Sequence, residues 1–203
     1  WIGAFGYQFG RHFAELGGTP HRPFPQADLR FGFYELTLRC AQGTWILDSL
    51  GPPDPDARIA ILTALERPAE PQRFALTPFA MRPDPADHMA GIERVLEHIN
   101  AGDIFQANLC TRIEAQFEGD PLDVFCQGVE ALSPAYAAFI SGPEGAIASF
   151  SPELFLRKSG DSILTSPIKG TAPLTTDPTE LASSAKNRAE NTMIVDLMRN
   201  DLG

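Results

Sequence analysis

Apolar and polar positions recur along this chain with two periods, and those periods predict most of its elements. From Asp87 to Ala101, Met89, Ile92, Val95, Leu96 and Ile99 fall at helical spacing, with Gly102 as a C-terminal stop. That pattern predicts a scaffold helix. From Asp103 to Glu118 the period drops to two. Phe105, Ala107, Leu109, Thr111, Ile113, Ala115 and Phe117 share one face. Gln106, Asn108, Cys110, Arg112, Glu114, Gln116 and Glu118 share the other. Such alternation predicts one long strand of an antiparallel sheet with one face on a core.

Shorter runs complete the pattern. Trp1 to Phe9 reads as a core strand, Leu29 to Arg39 as a second, and Thr44 to Leu50 as its hairpin partner across Ala41-Gln42-Gly43. Asp56 to Arg67 reads as a helix, and Gln72 to Phe79 as a strand-like piece within a proline-spaced connector. A helix follows at Asp120 to Leu132. Ala135–Ile140, Gly145–Phe150, Leu154–Lys158 and Ser162–Thr165 then form an antiparallel meander. Asp177-Pro178 is an N-cap followed by proline at the first helical position, and helical spacing runs on through Met198, with a possible break. The composition shift near residue 85 divides the chain into parts 1–85 and 86–203. The class is α+β.

Composition narrows the function by exclusion. The net charge of −10 over 203 residues argues against nucleic acid and against anionic membrane surfaces, which need a basic face. No apolar run approaches membrane-spanning length. Cys40, Cys110 and Cys126 are odd in number and widely spaced, as expected of reduced thiols in a cytoplasmic protein. The four histidines show no zinc-ligand spacing. Trp1 starts inside an apolar run and Gly203 ends on a helix, so the chain is expected to be a fragment of a longer protein.

The candidate chemistry centres on Ser166-Pro-Ile-Lys-Gly-Thr171. Lys169 sits between a proline and a glycine, where the chain turns sharply. Alone it reads either as a surface loop lysine or, if partly buried, as an amine able to lose its proton and attack. Glu153, Thr171 and Glu190 collect near the same strand ends and helix, and each alone reads as structural.

Four ordered segments carry a resemblance. They are Gly102-Asp-Ile-Phe-Gln-Ala-Asn-Leu109, Ser151-Pro-Glu-Leu-Phe155, Pro167-Ile-Lys-Gly-Thr171, and the run from Arg188-Ala-Glu-Asn191 to Gly203. Together they resemble the chorismate-utilising enzymes, strongly from about Asp87 onward. Trp1 to Gly10 is similar to the family's N-terminal part. The resemblance implies two packed antiparallel β-sheets flanked by helices. Residues 1–85 would be the N-terminal part of that fold. Residues 86–203 would be the first part of its chorismate-binding catalytic domain, with the C-terminal side missing.

Within the family, anthranilate synthases carry Ala in Pro-Ile-x-Gly-Thr and aminodeoxychorismate synthases carry Lys. Lys169 therefore resembles the branch that converts chorismate and ammonia to 4-amino-4-deoxychorismate, for para-aminobenzoate and folate. Anthranilate synthase, another chorismate-aminating enzyme, or a non-catalytic remnant of the fold are the alternatives. The resemblance implies Lys169 as nucleophile at C2 and Glu153 as general acid toward the C4 hydroxyl. It implies Glu190 as a magnesium ligand, and Thr171 with the Gly170 backbone against the ring carboxylate. Gln106 stands where water-adding relatives carry a lysine base, which fits ammonia as the nucleophile. A further magnesium glutamate would lie beyond Gly203, and ammonia would come from a separate glutamine amidotransferase subunit. Tryptophan is a possible ligand of the N-terminal part, near Ser133-Pro134 and Tyr136.

Overall fold

The computed structural model describes every residue except 16, 19–21, 23, 25 and 68–72. Its contacts divide the chain into two units. One is Trp1–Ala69 with Gly128–Gly203, and the other is Glu70–Gln127.

In the first unit, β1 (Ile2–Phe5) pairs antiparallel with β2 (Leu29–Gly32), Ile2 opposite Gly32. The expected strand over Trp1 to Phe9 stops at Phe5. The Gly6 amide donates across to the Asp28 carbonyl at 2.8 Å, and Phe9 then donates back to Gly6 at 2.9 Å, opening a 3-10 turn over Tyr7–His12. Nor does this run form a core, since Trp1, Phe5 and Tyr7 are exposed. The single strand expected over Leu29 to Arg39 is divided into β2 and β3 (Leu36–Ala41), and β3 with β4 (Thr44–Ser49) forms the expected hairpin. Its two-residue turn holds Gln42 and Gly43 at φ of 50° and 77°, the left-handed pair that a tight hairpin twist requires. α1 (Pro55–Glu66) follows.

The second unit holds β5 (Ala75–Leu76), β6 (Ala80–Arg82), α2 (Pro85–Ala101), β7 (Arg112–Glu114) and β8 (Phe117–Glu118). β6 pairs with β7 and β5 with β8. The strand expected from Asp103 to Glu118 is thus reduced to two short pieces. The β6–β7 ladder ends at Arg82 opposite Arg112, because the next residue is Pro83, which has no N–H to donate. Leu109, upstream of the ladder, meets α2 instead. Its Cδ2 lies 3.2 Å from where a Cβ on Gly91 would stand.

α3 (Pro121–Leu132) leads back into the first unit, where Gly128 lets the Phe150 ring approach the helix. β9 (Tyr136–Gly142) pairs with β10 (Gly145–Ser151), and β11 (Leu154–Ser159) with β12 (Ser162–Ser166). These are two separate hairpins where a continuous meander was expected. Pro152 breaks the chain between them, and Ser151 and Glu153 close a local turn there. α4 (Pro178–Ser183) and α5 (Ala185–Leu202) finish the chain, and the structure puts the break between them at Ser184.

Four helices begin on Asp-Pro, at Asp54, Asp84, Asp120 and Asp177. In each, the carboxylate accepts an amide of the first turn, at 2.8 to 3.2 Å. Proline at the first helical position is set at a helical φ and needs no donor. All six ladders described are antiparallel and two-stranded, within a mixed α+β chain. Among the described residues no side chain is fully buried, and many large apolar side chains, Phe105 and Phe155 among them, are exposed. Cys40, Cys110 and Cys126 are free thiols. Among the described residues, no helix is long and apolar enough to cross a membrane.

Candidate functional site

The β11–β12 hairpin sets the site's frame. Leu154 stands opposite Ser166, so Glu153 just before β11 and the Pro167–Gly170 loop just after β12 leave the same end of the ladder. The turn at Glu153 is tied by Ser151, whose hydroxyl donates to the Glu153 carbonyl at 3.1 Å and accepts from its amide at 3.2 Å. Glu153 itself is exposed. Beyond β12 the chain turns at Gly170, at a φ of 84° that disfavours any residue with a Cβ.

The helical segment returns against this loop. α4 stops at Ser184, which leaves the helical conformation at ψ 116°, and its hydroxyl accepts the Asn187 amide at 3.3 Å to cap α5. The first turn of α5 thereby comes beside Gly170. A methyl group on Gly170 would fall 2.7 Å from Asn187 Nδ2 and 2.8 Å from its Cγ. Between loop and helices lies a cavity of about 420 Å³, lined by Pro167, Ile168 and Lys169, by Leu181 and Ala182 of α4, and by Asn187, Arg188 and Asn191 of α5. Pro178 completes the lining.

The charge of that lining is informative. Lys169 and Arg188 both contribute to it, and no carboxylate does. In a chain of net charge −10 this is a local basic pocket, suited to a small anion. Lys169 is half-buried.

The remaining candidates do not line this cavity. Glu190 lies on α5 one turn beyond Asn187, outside the lining, with its carboxylate 3.8 Å from Lys186. Thr171 is exposed and follows the loop without lining the cavity. Gln106 is exposed in the irregular stretch before β7, in the second unit. Motif reading gave no role to Asn187, Arg188 or Asn191. Their signal was the Ser184 cap followed by helix, which puts Asn187 and Asn191 one above the other.

A magnesium ion needs oxygen donors. The described residues contain no group of three or more His, Cys, Asp or Glu side chains able to hold a metal. Magnesium often takes only one or two carboxylates and keeps several waters. Glu190, part-exposed on α5, fits as a single protein arm of such a shell and no more.

A separate cavity of about 290 Å³ touches Gly6, Arg22 and Asp28. Asp28 is held below its ordinary pKa, chiefly by His12 at 3.2 Å and also by Arg22 at 2.6 Å. These groups satisfy one another, and none of the candidate residues lies there.

Comparison with known proteins decides what this arrangement belongs to. The family model for chorismate binding enzymes matches residues 1–203. The chain belongs to the chorismate binding enzyme family. It is 36% identical over 215 residues to "Aminodeoxychorismate synthase component 1" of Salmonella typhimurium, covering 100% of this chain and 46% of that protein. "Anthranilate synthase component 1" of Streptomyces coelicolor is 33% identical over 240 residues, covering 100% and 45%. Among solved structures, anthranilate synthase component I from Streptococcus pneumoniae matches with a TM-score of 0.82 at 26% identity, over 100% of this chain and 49% of that one. This chorismate binding family member therefore spans about half the length of the relatives it matches. Its α+β fold is that of the corresponding half of the pneumococcal protein.

Proposed function

We propose that the protein carries the chemistry of an aminodeoxychorismate synthase component I, a cytoplasmic enzyme that aminates chorismate at C4. The observation that carries this reading is Lys169. It is half-buried, precedes the left-handed turn at Gly170, and lines a cavity to which Arg188 also contributes. The chain around it is 36% identical, end to end, to a protein of that name. Chorismate is a dicarboxylate, and a lining with Lys169 and Arg188 and no acid suits it.

In the reaction proposed, the Lys169 amine, once neutral, bonds to C2 of the ring. The two ring double bonds shift, and the C4 hydroxyl leaves as water on a proton from Glu153. Ammonia then adds at C4, the double bonds return, and the C2–N bond breaks to give back the lysine. Covalent catalysis divides one difficult substitution into two easier ones. Gly170 and Thr171 offer their backbone and hydroxyl to the ring carboxylate. Glu190 would hold magnesium, which when bound neutralises that carboxylate. Gln106, a neutral amide, leaves ammonia as the nucleophile. Ammonia would be delivered by a separate glutamine amidotransferase subunit.

The test is mass spectrometry of the protein given chorismate without ammonia. A mass increase on the peptide holding Lys169, absent in Lys169→Ala, is expected. Turnover should fall by orders of magnitude in Lys169→Ala and in Lys169→Arg, each tenfold being about 1.4 kcal/mol of barrier. Near wild-type turnover by either variant would sink the nucleophile role. The likeness to the Streptomyces coelicolor anthranilate synthase favours a second reading, amination at C2, and identifying the product separates the two.

A further inference from the structure

The geometry points to Asn187 as the residue that positions Lys169, by giving the lysine loop a flat surface on which Gly170 rests. The inference builds on the nucleophile reading only for what the positioned amine does.

Lysine has four rotatable side-chain bonds, so the reach of its amine depends on how firmly its backbone is held. The Pro167–Gly170 loop is fixed on one side by β12, which ends at Ser166. On the other side its described anchor is Gly170. There φ is 84°, and the Cα faces the Asn187 amide so closely that a Cβ would stand 2.7 Å from Nδ2, 2.8 Å from Cγ and 3.2 Å from Oδ1. Other left-handed glycines of this unit, Gly43 and Gly160, have no atom within 4 Å of the same position. At Gly170, therefore, a side chain would meet the Asn187 amide as well as an unfavourable backbone conformation.

The backbone of Asn187 is itself held. The residue lies in the first turn of α5, half-buried, with its backbone N–H bonded to the Ser184 hydroxyl at 3.3 Å. The planar amide is flat where it meets the glycine. An aliphatic side chain of similar size would present branched carbons there instead. Glu190 is one turn along the same helix, so docking the loop at Asn187 also sets the lysine loop against the carboxylate proposed to hold magnesium.

The experiment compares Asn187→Ala with the wild-type protein. The first measurement is competitive acetylation at each of the three lysines, Lys158, Lys169 and Lys186. It needs no chorismate and so stands if the nucleophile reading fails. The labelling rate of Lys169 relative to Lys158 is expected to change by more than about threefold, with the melting temperature near wild type. The second measurement is steady-state amination. A drop in kcat of roughly 100-fold is expected, with KM nearly unchanged, as for a small misplacement of a reacting group. If Asn187→Ala fails to fold, Asn187→Ser carries the same two expectations.

An unchanged Lys169 to Lys158 ratio overturns the inference. So does a change shared by Lys158 together with a lowered melting temperature, which means general loosening. A changed ratio with turnover insensitive to Lys169→Ala keeps Asn187 as the anchor and rejects only the nucleophile reading.

Discussion

Gly170→Ala tests the lysine loop more severely than removal of the lysine itself. Two costs combine at this position. An L-residue at φ 84° is in the left-handed region, which costs roughly 1–2 kcal/mol. The added methyl must then stand 2.7 Å from Asn187 Nδ2, well inside ordinary van der Waals contact. The obstruction is the end of the Asn187 side chain, so the amide has to turn aside or the loop has to shift, and overpacking of this kind costs up to about 1–3 kcal/mol. The total expected is about 2–5 kcal/mol. Gly43→Ala and Gly160→Ala supply the reference, since both are left-handed, at φ of 77° and 57°, and open around the missing Cβ. They should lose only the conformational part, about 1–2 kcal/mol. Urea unfolding followed by tryptophan fluorescence reads the difference. With an m-value of roughly 2–3 kcal/mol per molar, Gly170→Ala should unfold about half to one molar earlier than either control. Asn187→Ala in the Gly170→Ala background should recover part of that loss, because the shortened side chain makes room for the methyl. The two substitutions share a contact and should not add. Equal midpoints for Gly170→Ala and Gly43→Ala, or strict additivity with Asn187→Ala, would refute the contact.

Asp177 gives a pH dependence whose sign is fixed by its partners. Its carboxylate accepts the Thr179 amide and hydroxyl, both at 2.8 Å, and these bonds hold its pKa below the ordinary carboxylate value. The folded pKa is therefore lower than the unfolded one. The stability it contributes is present above the unfolded value and is lost as pH falls through the folded value. Wild type should exceed Asp177→Asn in urea midpoint near pH 6, and the gap should close as the pH is lowered past the carboxylate range; a gap constant from pH 6 to pH 3 contradicts this. For Glu190, Glu190→Gln should weaken magnesium binding in calorimetric titration and lower magnesium-dependent turnover without changing the melting temperature. An unaltered isotherm removes Glu190 from the metal shell.

What the sequence made legible about the fold was what is decided locally. Asp-Pro announces a helix because the cap and the first helical φ are set within two residues, and α4 begins where that pair stands. The hairpin at Gln42-Gly43 and the stop at Gly102 are equally local. Alternation is different in kind. It tells which side a residue faces, but says nothing of whether a neighbouring strand has a donor to offer. The stretch from Asp103 to Glu118 alternates well and pairs only where β5 and β6 can reach it. Pro83 closes the ladder after Arg112. Likewise, nothing in the apolar run from Trp1 to Phe9 records that the Gly6 amide is taken by Asp28, far along the chain.

The site divides along the same line. Pro167-Ile-Lys-Gly170 showed by itself that a lysine stands at a sharp turn, because proline and glycine limit the backbone they occupy. It could not show what the turn rests on, since Asn187 arrives there only after α4, the break at Ser184 and the first turn of α5. The break is what matters. A helix running unbroken from Pro178 would carry Asn187 along one fixed axis. Ser184 instead leaves the helical conformation and caps a second helix, so the direction of α5 is set anew just before Asn187 and Arg188. A motif that reads Arg-Ala-Glu-Asn sees the polar residues but not this change of direction. It therefore names Glu190, which the cavity does not include, and passes over Asn187 and Arg188, which it does. The second cation of the lining thus comes from helix geometry that only the folded chain reveals.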